Sequence, residues 1–213
     1  MTNGPSSGNS LTGDETLDLP EFDNPPTEPI GLLSAWLDNA NGTVLEPLAA
    51  TLATSSPEGG PSSRTVLVKG VEADGTIIVT TSLQTRKGRE LDGSRRAALT
   101  FYWRETMQQI NITGDVARVD DEAAQSLFAR RPIDAQAASS VSEPGQPLDD
   151  ESAMTQRARE VAQSQNIARP DSWGGYRIRP DVIEFWHGRA TRLHRRLLFQ
   201  RKESSWTSAR LQP

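Results

Sequence analysis

The chain has no cysteine and only two histidines among its 213 residues. The lack of cysteine excludes disulfides, thiolate nucleophiles and cysteine-ligated metals. With so few imidazoles, we predict no metal site. No apolar run approaches the length that spans a membrane, and the N-terminus lacks the basic and apolar regions of a secretory signal. We therefore expect a cytoplasmic protein with no membrane association.

Cations are missing from the first part of the chain. No lysine, arginine or histidine precedes Arg64, whereas cations outnumber carboxylates from Arg177 to the C-terminus. An acidic head and a basic tail attract each other, within one chain or across a dimer. Nucleic-acid binding is a rival explanation of the basic tail. It is disfavoured by the net charge of −5 and the pI of about 5.2.

Two common nucleotide-binding fingerprints are also absent, since the chain contains no G-x-G-x-x-G and no G-x-x-x-x-G-K-[ST]. The G-x-S-x-G pattern occurs at Gly4–Gly8, in the Gly- and Ser-rich start of the chain with no predicted strand before it, so it lacks the strand-to-helix turn of a hydrolase nucleophile. The functional groups that remain available for binding or catalysis are cations, hydroxyls, amides and indoles. Such groups bind a ligand well but perform little redox chemistry alone, so a cofactor would have to supply the reaction.

The order of local patterns predicts a mainly β fold. Residues 1–27 are rich in Gly, Ser, Pro and Asp and are interpreted as a flexible arm, followed by a single domain over 28–213. A helix is expected to open at Glu28-Pro29 and to end near Asn41-Gly42, with Thr27 as its cap. Further helices are predicted over 86–91, 120–131 and 151–165, with a polar loop at 139–150. Strands are predicted over 48–54, 63–69, 76–81, 97–103, 108–113, 175–179, 182–186, 195–202 and 206–211. Adjacent strands of this kind favour an antiparallel barrel with outer helices over a doubly wound sheet.

The stretch from Glu184 to Arg196 combines both histidines, Trp186 and four arginines. Guanidinium groups suit a phosphate or carboxylate, and an indole suits an aromatic ring. The alternative is a solvated basic strand. From the residues alone the two interpretations stand about equal.

Two other segments have the same ambiguity. Thr85-Arg86-Lys87-Gly88 follows a strand and opens a helix, which favours a phosphate cradle but is also common on surfaces. The strand from Arg64 to Lys69 places its two end cations on opposite faces. On this segment alone an ordinary core strand with charged ends is the favoured interpretation.

Taken in order, the motifs resemble those of the pyridoxamine 5′-phosphate oxidase family. The matching motifs are Arg64-Thr-Val-Leu-Val-Lys69, Thr80-Thr81, Thr85-Arg86-Lys87, Gln109, Trp173-Gly-Gly-Tyr-Arg177, Glu184-Phe-Trp186, Arg192-Leu-His194, Arg196 and Arg210-Leu-Gln-Pro213. The resemblance implies a six-stranded antiparallel split β-barrel with flanking helices. It also implies a homodimer with FMN at the subunit interface. Ser10–Asp14, Leu19–Phe22, Tyr102–Ile110 and Ser139–Ser142 resemble the phenazine-biosynthesis flavin oxidase branch.

The resemblance also implies roles for individual residues. The cofactor-binding set would be Arg64, Thr65, Val66, Leu67, Val68, Lys69, Thr80, Thr81, Arg86, Lys87, Gln109 from the partner subunit, Trp186 and Arg196. The substrate-binding set would be Lys69, Arg131, Arg192 and His194, with His194 the one candidate for acid or base catalysis. Pro144-Gly145 aligns with a family contact to FMN. His187, Arg189 and Arg195 are interpreted as solvated.

Departures from the family pattern bear on the substrate. Vitamin-B6 oxidases hold a substrate phosphate with Lys, Tyr, Arg and Ser, and the corresponding positions here are Lys69, Leu127, Arg131 and Ala135. Two hydroxyl ligands are therefore missing. We expect an FMN-dependent oxidase that aromatises a reduced phenazine carboxylate, a small aromatic carboxylate, with molecular oxygen as acceptor. The alternatives are a pyridoxamine or pyridoxine 5′-phosphate oxidase and a non-catalytic flavin- or nucleic-acid-binding protein.

Overall fold

The computed structural model describes residues 12–56, 58–164 and 166–213. A 3-10 helix covers Pro20–Phe22. The described α-helices are α1 Pro29–Ala40, α2 Arg86–Ser94, α3 Asp121–Ala129, α4 Ile133–Val141 and α5 Glu151–Ala162. The strands are β1 Ala49–Ser56, β2 Gly60–Val71, β3 Ile77–Ser82, β4 Arg96–Trp103, β5 Gln108–Arg118, β6 Trp173–His187, β7 Arg195–Lys202 and β8 Ser205–Leu211.

The sheet has the order β3-β2-β1-β4-β5-β6-β7-β8, and β3 also pairs with β6. That extra antiparallel pairing, from Ile77 opposite Ile178 to Ser82 opposite Trp173, closes six strands into a barrel. β7 and β8 extend the sheet beyond β6. The predicted six-stranded antiparallel barrel is thus confirmed. Among the described residues, no helix is both long enough and apolar enough to cross a membrane.

The chain divides into two compact units. The first unit comprises the chain up to Thr51 together with Leu99–Thr113 and Pro180–Pro213, and the second comprises Leu52–Ala98 and Gly114–Arg179. The division of the chain into an arm and one domain stays a prediction.

The core of the first unit is aromatic. The Trp36 ring centroid lies 6.1 Å from that of Phe22, 6.5 Å from that of Trp103 and 5.0 Å from that of Phe185. Phe22 is completely buried, and Trp36 Nε1 donates to Glu21 Oε1 at 2.6 Å. Part of the segment that the composition assigned to a flexible arm therefore packs in this core, while residues 1–11 lie outside the described range.

Three details of secondary structure differ from expectation. The N-cap of α1 is Glu28 rather than Thr27, and no side chain caps that end. β6 is one continuous strand rather than two. Its first part pairs with β3 and its last part pairs with β7, and Pro180 lies between the two paired parts. Helix α4 was missed, since its N-cap is Pro132, which offers no capping side chain. Its Ala137 is nevertheless fully buried, in a cluster with Phe128, Ile167 and Trp173.

Candidate functional site

The predicted site residues fall into two groups, one in each unit. The second unit contains Arg64, Thr65, Val66, Leu67, Val68, Lys69, Thr80, Thr81, Arg86, Lys87 and Arg131, and the first contains Gln109, Trp186, Arg192, His194 and Arg196. Each group is described in its own unit below. The ligand roles of these residues stay predictions.

Strand β2 alternates as expected from its sequence. Arg64 and Val66 are partly buried and Val68 is buried, whereas Thr65, Leu67 and Lys69 are exposed. The two end cations therefore lie on opposite faces of the strand. Leu67 leaves 54% of its surface exposed, which is unusual for leucine in the middle of a strand.

Glu90 organises the cationic part of the second unit, and sequence analysis missed it. Its carboxylate accepts from Thr54 Oγ1, from Ser62 Oγ at 2.6 Å and from Arg86 Nε at 2.7 Å. Arg64 Nη2 lies 3.4 Å from Glu90 Oε2, and Arg64 Nη1 donates to Thr54 Oγ1 at 2.6 Å. One buried carboxylate thus orients both arginines. Its spacing of four residues from Arg86 was the only signal available in the sequence.

Glu90 is ionised in spite of its burial. Burial alone would raise the pKa of a carboxyl, but hydrogen bonds from Ser62, Thr54 and Arg86 and the Arg86 charge outweigh it. They lower the pKa of Glu90 to about 2. The negative charge is therefore permanent at neutral pH and partly neutralises the neighbouring guanidinium groups.

The first turn of α2 completes the cationic set. Thr85 caps the helix by accepting from the Gly88 N–H at 3.2 Å. A β-carbon at Gly88 would lie only 2.2 Å from the Leu83 carbonyl oxygen, so glycine permits the close approach of the helix to the preceding turn. Lys87 Nζ donates to Thr81 Oγ1 at 3.2 Å.

Lys87 is held in an unfavourable position for a cation. Burial and the positive charge of Arg64 lower the pKa of Lys87. A bound anion would relieve both effects, because it would replace lost hydration and offset the repulsion. Two guanidinium groups, an ammonium group and a helix N-terminus form a donor set that fits a phosphate monoester such as that of FMN.

Arg131 lies in an aromatic setting in the same unit. Its guanidinium carbon is 5.1 Å from the Trp173 ring centroid and 5.8 Å from that of Phe128, and Nη1 donates to Ser139 Oγ at 2.7 Å. Burial lowers its pKa. Leu127, at the position of a family hydroxyl, packs against the Phe128 and Trp173 cluster. A guanidinium group beside an aromatic wall is an arrangement that suits a flat anion, and the role of Arg131 in substrate binding stays a prediction.

In the first unit, a tight turn presents Arg192 and His194. Arg192 has a left-handed backbone with φ of 67°, and its N–H donates to the Arg189 carbonyl at 3.0 Å. The Arg189 N–H in turn donates to His194 Nδ1 at 3.1 Å. A backbone N–H can only donate, so Nδ1 is an acceptor and the neutral ring has its proton on Nε2. Burial and the charge of Arg192 lower the pKa of His194, which agrees with a neutral imidazole.

On β6, Trp186 lies beside the His194 ring. The Trp186 ring centroid lies 4.8 Å from that of His194. Trp186 is opposite Arg196 in the ladder, and Arg196 makes a two-point contact with Glu184 at 2.7 and 3.0 Å. Gln109 lies half-buried on β5.

Residues interpreted as solvated have specific partners instead. His187 is completely buried, and its Nε2 lies 3.3 Å from the Asp14 carbonyl oxygen. Arg189 donates to the Glu15 carbonyl at 2.9 Å. Arg195 pairs with Asp23 at 2.7 Å. Residues of the acidic N-terminal part thus bind arginines of the basic C-terminal part within the first unit of the same chain. The predicted attraction between the two parts is confirmed within one chain.

Pro144 and Gly145 lie in an exposed turn, in which Gly145 has φ of 97° and the Gln146 N–H donates to the Glu143 carbonyl at 3.1 Å. Their contact with FMN stays a prediction.

The structure so far defines a closed barrel with a cationic cluster at the start of α2, a donor set of the kind that suits a phosphate. Family models narrow this class. Residues 37–165 match the pyridoxamine 5′-phosphate oxidase model, and residues 173–213 match the pyridoxine 5′-phosphate oxidase C-terminal dimerisation region. The chain belongs to the pyridoxamine 5′-phosphate oxidase family, and this membership supports an oxidoreductase.

Individual relatives divide between two activities. The chain is 38% identical over 195 residues to a pyridoxine/pyridoxamine 5′-phosphate oxidase of Rubrobacter xylanophilus, covering 90% of this chain and 89% of that protein. It is 39% identical over 206 residues to a dihydrophenazinedicarboxylate synthase of Burkholderia lata, covering 96% and 97%. The crystal structure of PhzG from Burkholderia lata 383 in complex with tetrahydrophenazine-1-carboxylic acid superposes with a TM-score of 0.89 at 37% identity, covering 94% of this chain and all of that one. Sequence identity alone does not separate the two activities.

Proposed function

We propose that this protein is an FMN-dependent oxidase that aromatises reduced phenazine carboxylates, with molecular oxygen as acceptor and hydrogen peroxide as product. The observation on which this depends is the setting of Arg131. Leu127 and Ala135 stand where vitamin-B6 oxidases have hydroxyl ligands for a phosphate, and Leu127 packs with an aromatic cluster. Each missing hydroxyl partner of a buried phosphate costs about 1–3 kcal/mol. A planar carboxylate needs fewer donors, and the likeness to the PhzG complex supports this substrate class.

The cofactor contacts that we propose are those that the family resemblance implies. Arg64, Arg86 and Lys87 would bind the FMN phosphate, with Thr80 and Thr81 near the ribityl chain. The strand from Thr65 to Lys69 would line the flavin. Gln109 of a partner copy, Trp186 and Arg196 would complete the site in a homodimer. When bound, FMN supplies the two-electron acceptor, which oxygen reoxidises with release of hydrogen peroxide.

The protein residues would mainly position the substrate. Arg192 would pair with a carboxylate, and His194 would donate to it through Nε2–H, with Lys69 and Arg131 as further cations. Oxidation removes a hydride from a ring carbon and a proton from a ring nitrogen. Because the product is aromatic, the reaction is favourable once the substrate is correctly placed, and no strong protein base is required.

The homodimer is supported by the match of residues 173–213 to a dimerisation region. Exposed apolar side chains such as Leu67 and Tyr102 also favour a covered surface. Its cytoplasmic location stays a prediction.

Turnover by the yellow holoenzyme tests the proposal. Reduced phenazine carboxylate and pyridoxine 5′-phosphate are compared at equal concentrations by oxygen uptake and peroxide formation. Because two phosphate ligands are missing, kcat/KM should be at least about 30-fold higher for the reduced phenazine carboxylate than for pyridoxine 5′-phosphate. Comparable values for the two substrates would identify a vitamin-B6 oxidase. A colourless protein that binds no added FMN would exclude the oxidase, and strongly salt-dependent DNA binding would favour a nucleic-acid-binding protein.

A further inference from the structure

The segment Gly13–Thr16 is held between two loops of the first unit. On one side, the Asp14 N–H donates to the Glu105 carbonyl at 2.8 Å. A β-carbon at Gly13 would lie 2.1 Å from the Arg104 carbonyl oxygen, so the backbone there is in close contact with the loop between β4 and β5. On the other side, the Asp14 carbonyl faces the buried His187.

Glu15 makes two contacts with the turn that follows β6. Its carboxylate Oε2 accepts from the Ala190 N–H at 2.7 Å, and its carbonyl accepts from Arg189 Nη1 at 2.9 Å. The first of these is a hydrogen bond to a charged acceptor, the stronger kind. Glu15 thus binds two consecutive residues of the turn, one through its side chain and one through its backbone.

The same two residues begin the turn that presents the substrate-side groups. The Arg189 N–H donates to His194 Nδ1, and the Arg189 carbonyl accepts from the Arg192 N–H. Arg192 has a left-handed backbone, which is about 1–2 kcal/mol unfavourable for a residue with a β-carbon and persists only where neighbours hold it. A change in the position of Arg189 would therefore affect both Arg192 and His194.

We propose that Glu15 is a positioning residue for the substrate site, because its carboxylate holds the 189–194 turn in the conformation that presents Arg192 and the Nε2–H of His194. This inference rests on the proposed function in assigning Arg192 and His194 to substrate. It makes the acidic N-terminal segment a functional part of the enzyme rather than a solubilising extension.

Two variants and one control test the proposal in the full-length holoenzyme. Glu15→Ala removes the acceptor of the Ala190 N–H, whereas Glu15→Gln retains an amide oxygen at the same distance along the side chain. Asp18→Ala removes an exposed carboxylate of the same segment. We expect Glu15→Ala to raise the KM for a reduced phenazine carboxylate about tenfold, Glu15→Gln to restore most of it, and Asp18→Ala to match the wild type. FMN content should be the same in all.

Nitrogen-15 NMR of the histidine rings supplies a readout that is independent of turnover. In the wild type, His194 should show an unprotonated Nδ1 and a protonated Nε2, with the signals assigned by a His194→Asn variant. Glu15→Ala should mix the two tautomers of His194. Unchanged ring signals together with an unchanged KM would overturn the proposal, as would an equal defect in Asp18→Ala.

The two proposals fail in different ways. If the wild type does not oxidise reduced phenazine carboxylates, the proposed function is wrong. The His194 spectrum of Glu15→Ala still shows whether Glu15 holds the turn. If instead Glu15→Ala and Glu15→Gln both lose FMN or unfold at lower denaturant concentration by the same amount, Glu15 has only a structural role and the positioning proposal is wrong.

Discussion

Arg64 Nη2 lies 3.4 Å from the carboxylate Oε2 of Glu90, and Arg86 Nε binds the other carboxylate oxygen, Oε1, at 2.7 Å. One buried anion therefore connects a strand cation with a helix cation. Because this anion balances only part of the local positive charge, the cluster retains attraction for a phosphate.

Replacement of Glu90 should reduce stability. Glu90→Gln leaves Arg64 and Arg86 without their carboxylate, and we expect a loss of about 2–3 kcal/mol in the free energy of unfolding, measured by denaturant titration at neutral pH. Glu72→Gln is the control, since the ion pair of Glu72 with Arg177 is much more exposed. It should cost at most about 1 kcal/mol. Equal losses in the two variants would contradict a special role for Glu90.

The contribution of Glu90 should depend on pH. Its pKa is lowered to about 2 in the folded protein, whereas an unfolded glutamate titrates near about 4.3. The stabilisation is thus complete above the unfolded-state pKa and is lost as the pH falls towards 2. The difference in unfolding free energy between wild type and Glu90→Gln should narrow between about pH 5 and pH 3. A difference that stays constant over this range would argue against an ionised buried carboxylate.

Two glycines of α2 should respond oppositely to alanine. Gly88→Ala places a β-carbon against the Leu83 backbone, which would displace the first turn of the helix, reduce stability and weaken FMN binding. A β-carbon at Gly93 would meet no tertiary neighbour within 4 Å among the described residues. Gly93→Ala should therefore stabilise the protein by up to about 1 kcal/mol through helix propensity, with unchanged FMN affinity. Thermal unfolding and flavin titration measure both effects.

Lys87 should act on the phosphate of the cofactor and not on its ring. Lys87→Ala is expected to raise the Kd for FMN about tenfold or more, since a charge-assisted hydrogen bond contributes about 1.5–3 kcal/mol. Riboflavin, which lacks the phosphate, should bind both proteins equally in fluorescence titrations. Arg89→Ala, on the exposed face of the same helix, is the control. A parallel loss of riboflavin affinity would place Lys87 elsewhere in the site.

Arg192 should be needed for substrate and not for FMN. Arg192→Ala is expected to lower kcat/KM for a reduced phenazine carboxylate by about 100-fold while the protein remains yellow. Arg210→Ala, which removes a surface partner of Asp23, should leave kcat/KM unchanged. Release of FMN from the Arg192 variant would show that the division between cofactor and substrate residues is wrong.

Much of the fold was predictable because it depends on local patterns. Alternation in β2 and the helical pattern of α3 were each visible in a short window, and the observed elements overlap the predicted ranges 63–69 and 120–131. Helix α4 has no such signal at its start, and its place follows from the burial of Ala137. The break expected near Pro180 did not occur, since the strand exchanges one partner for another at that residue.

The barrel class, the lack of thiol chemistry and the cationic segments from which a site could be built all follow from the amino-acid sequence. The pairing of those cations with particular acceptors follows from the folded chain. The Glu90 carboxylate contacts both Arg64 and Arg86. Glu15, which accepts a hydrogen bond from the Ala190 N–H, precedes Ala190 by 175 residues in the chain. Charge patterns show that such groups attract, but pairing over that separation depends on how the chain folds. The basic segment from Glu184 to Arg196 is therefore neither a solvated strand nor a uniform anion site. It divides into residues that secure the N-terminal segment and residues that the resulting turn presents.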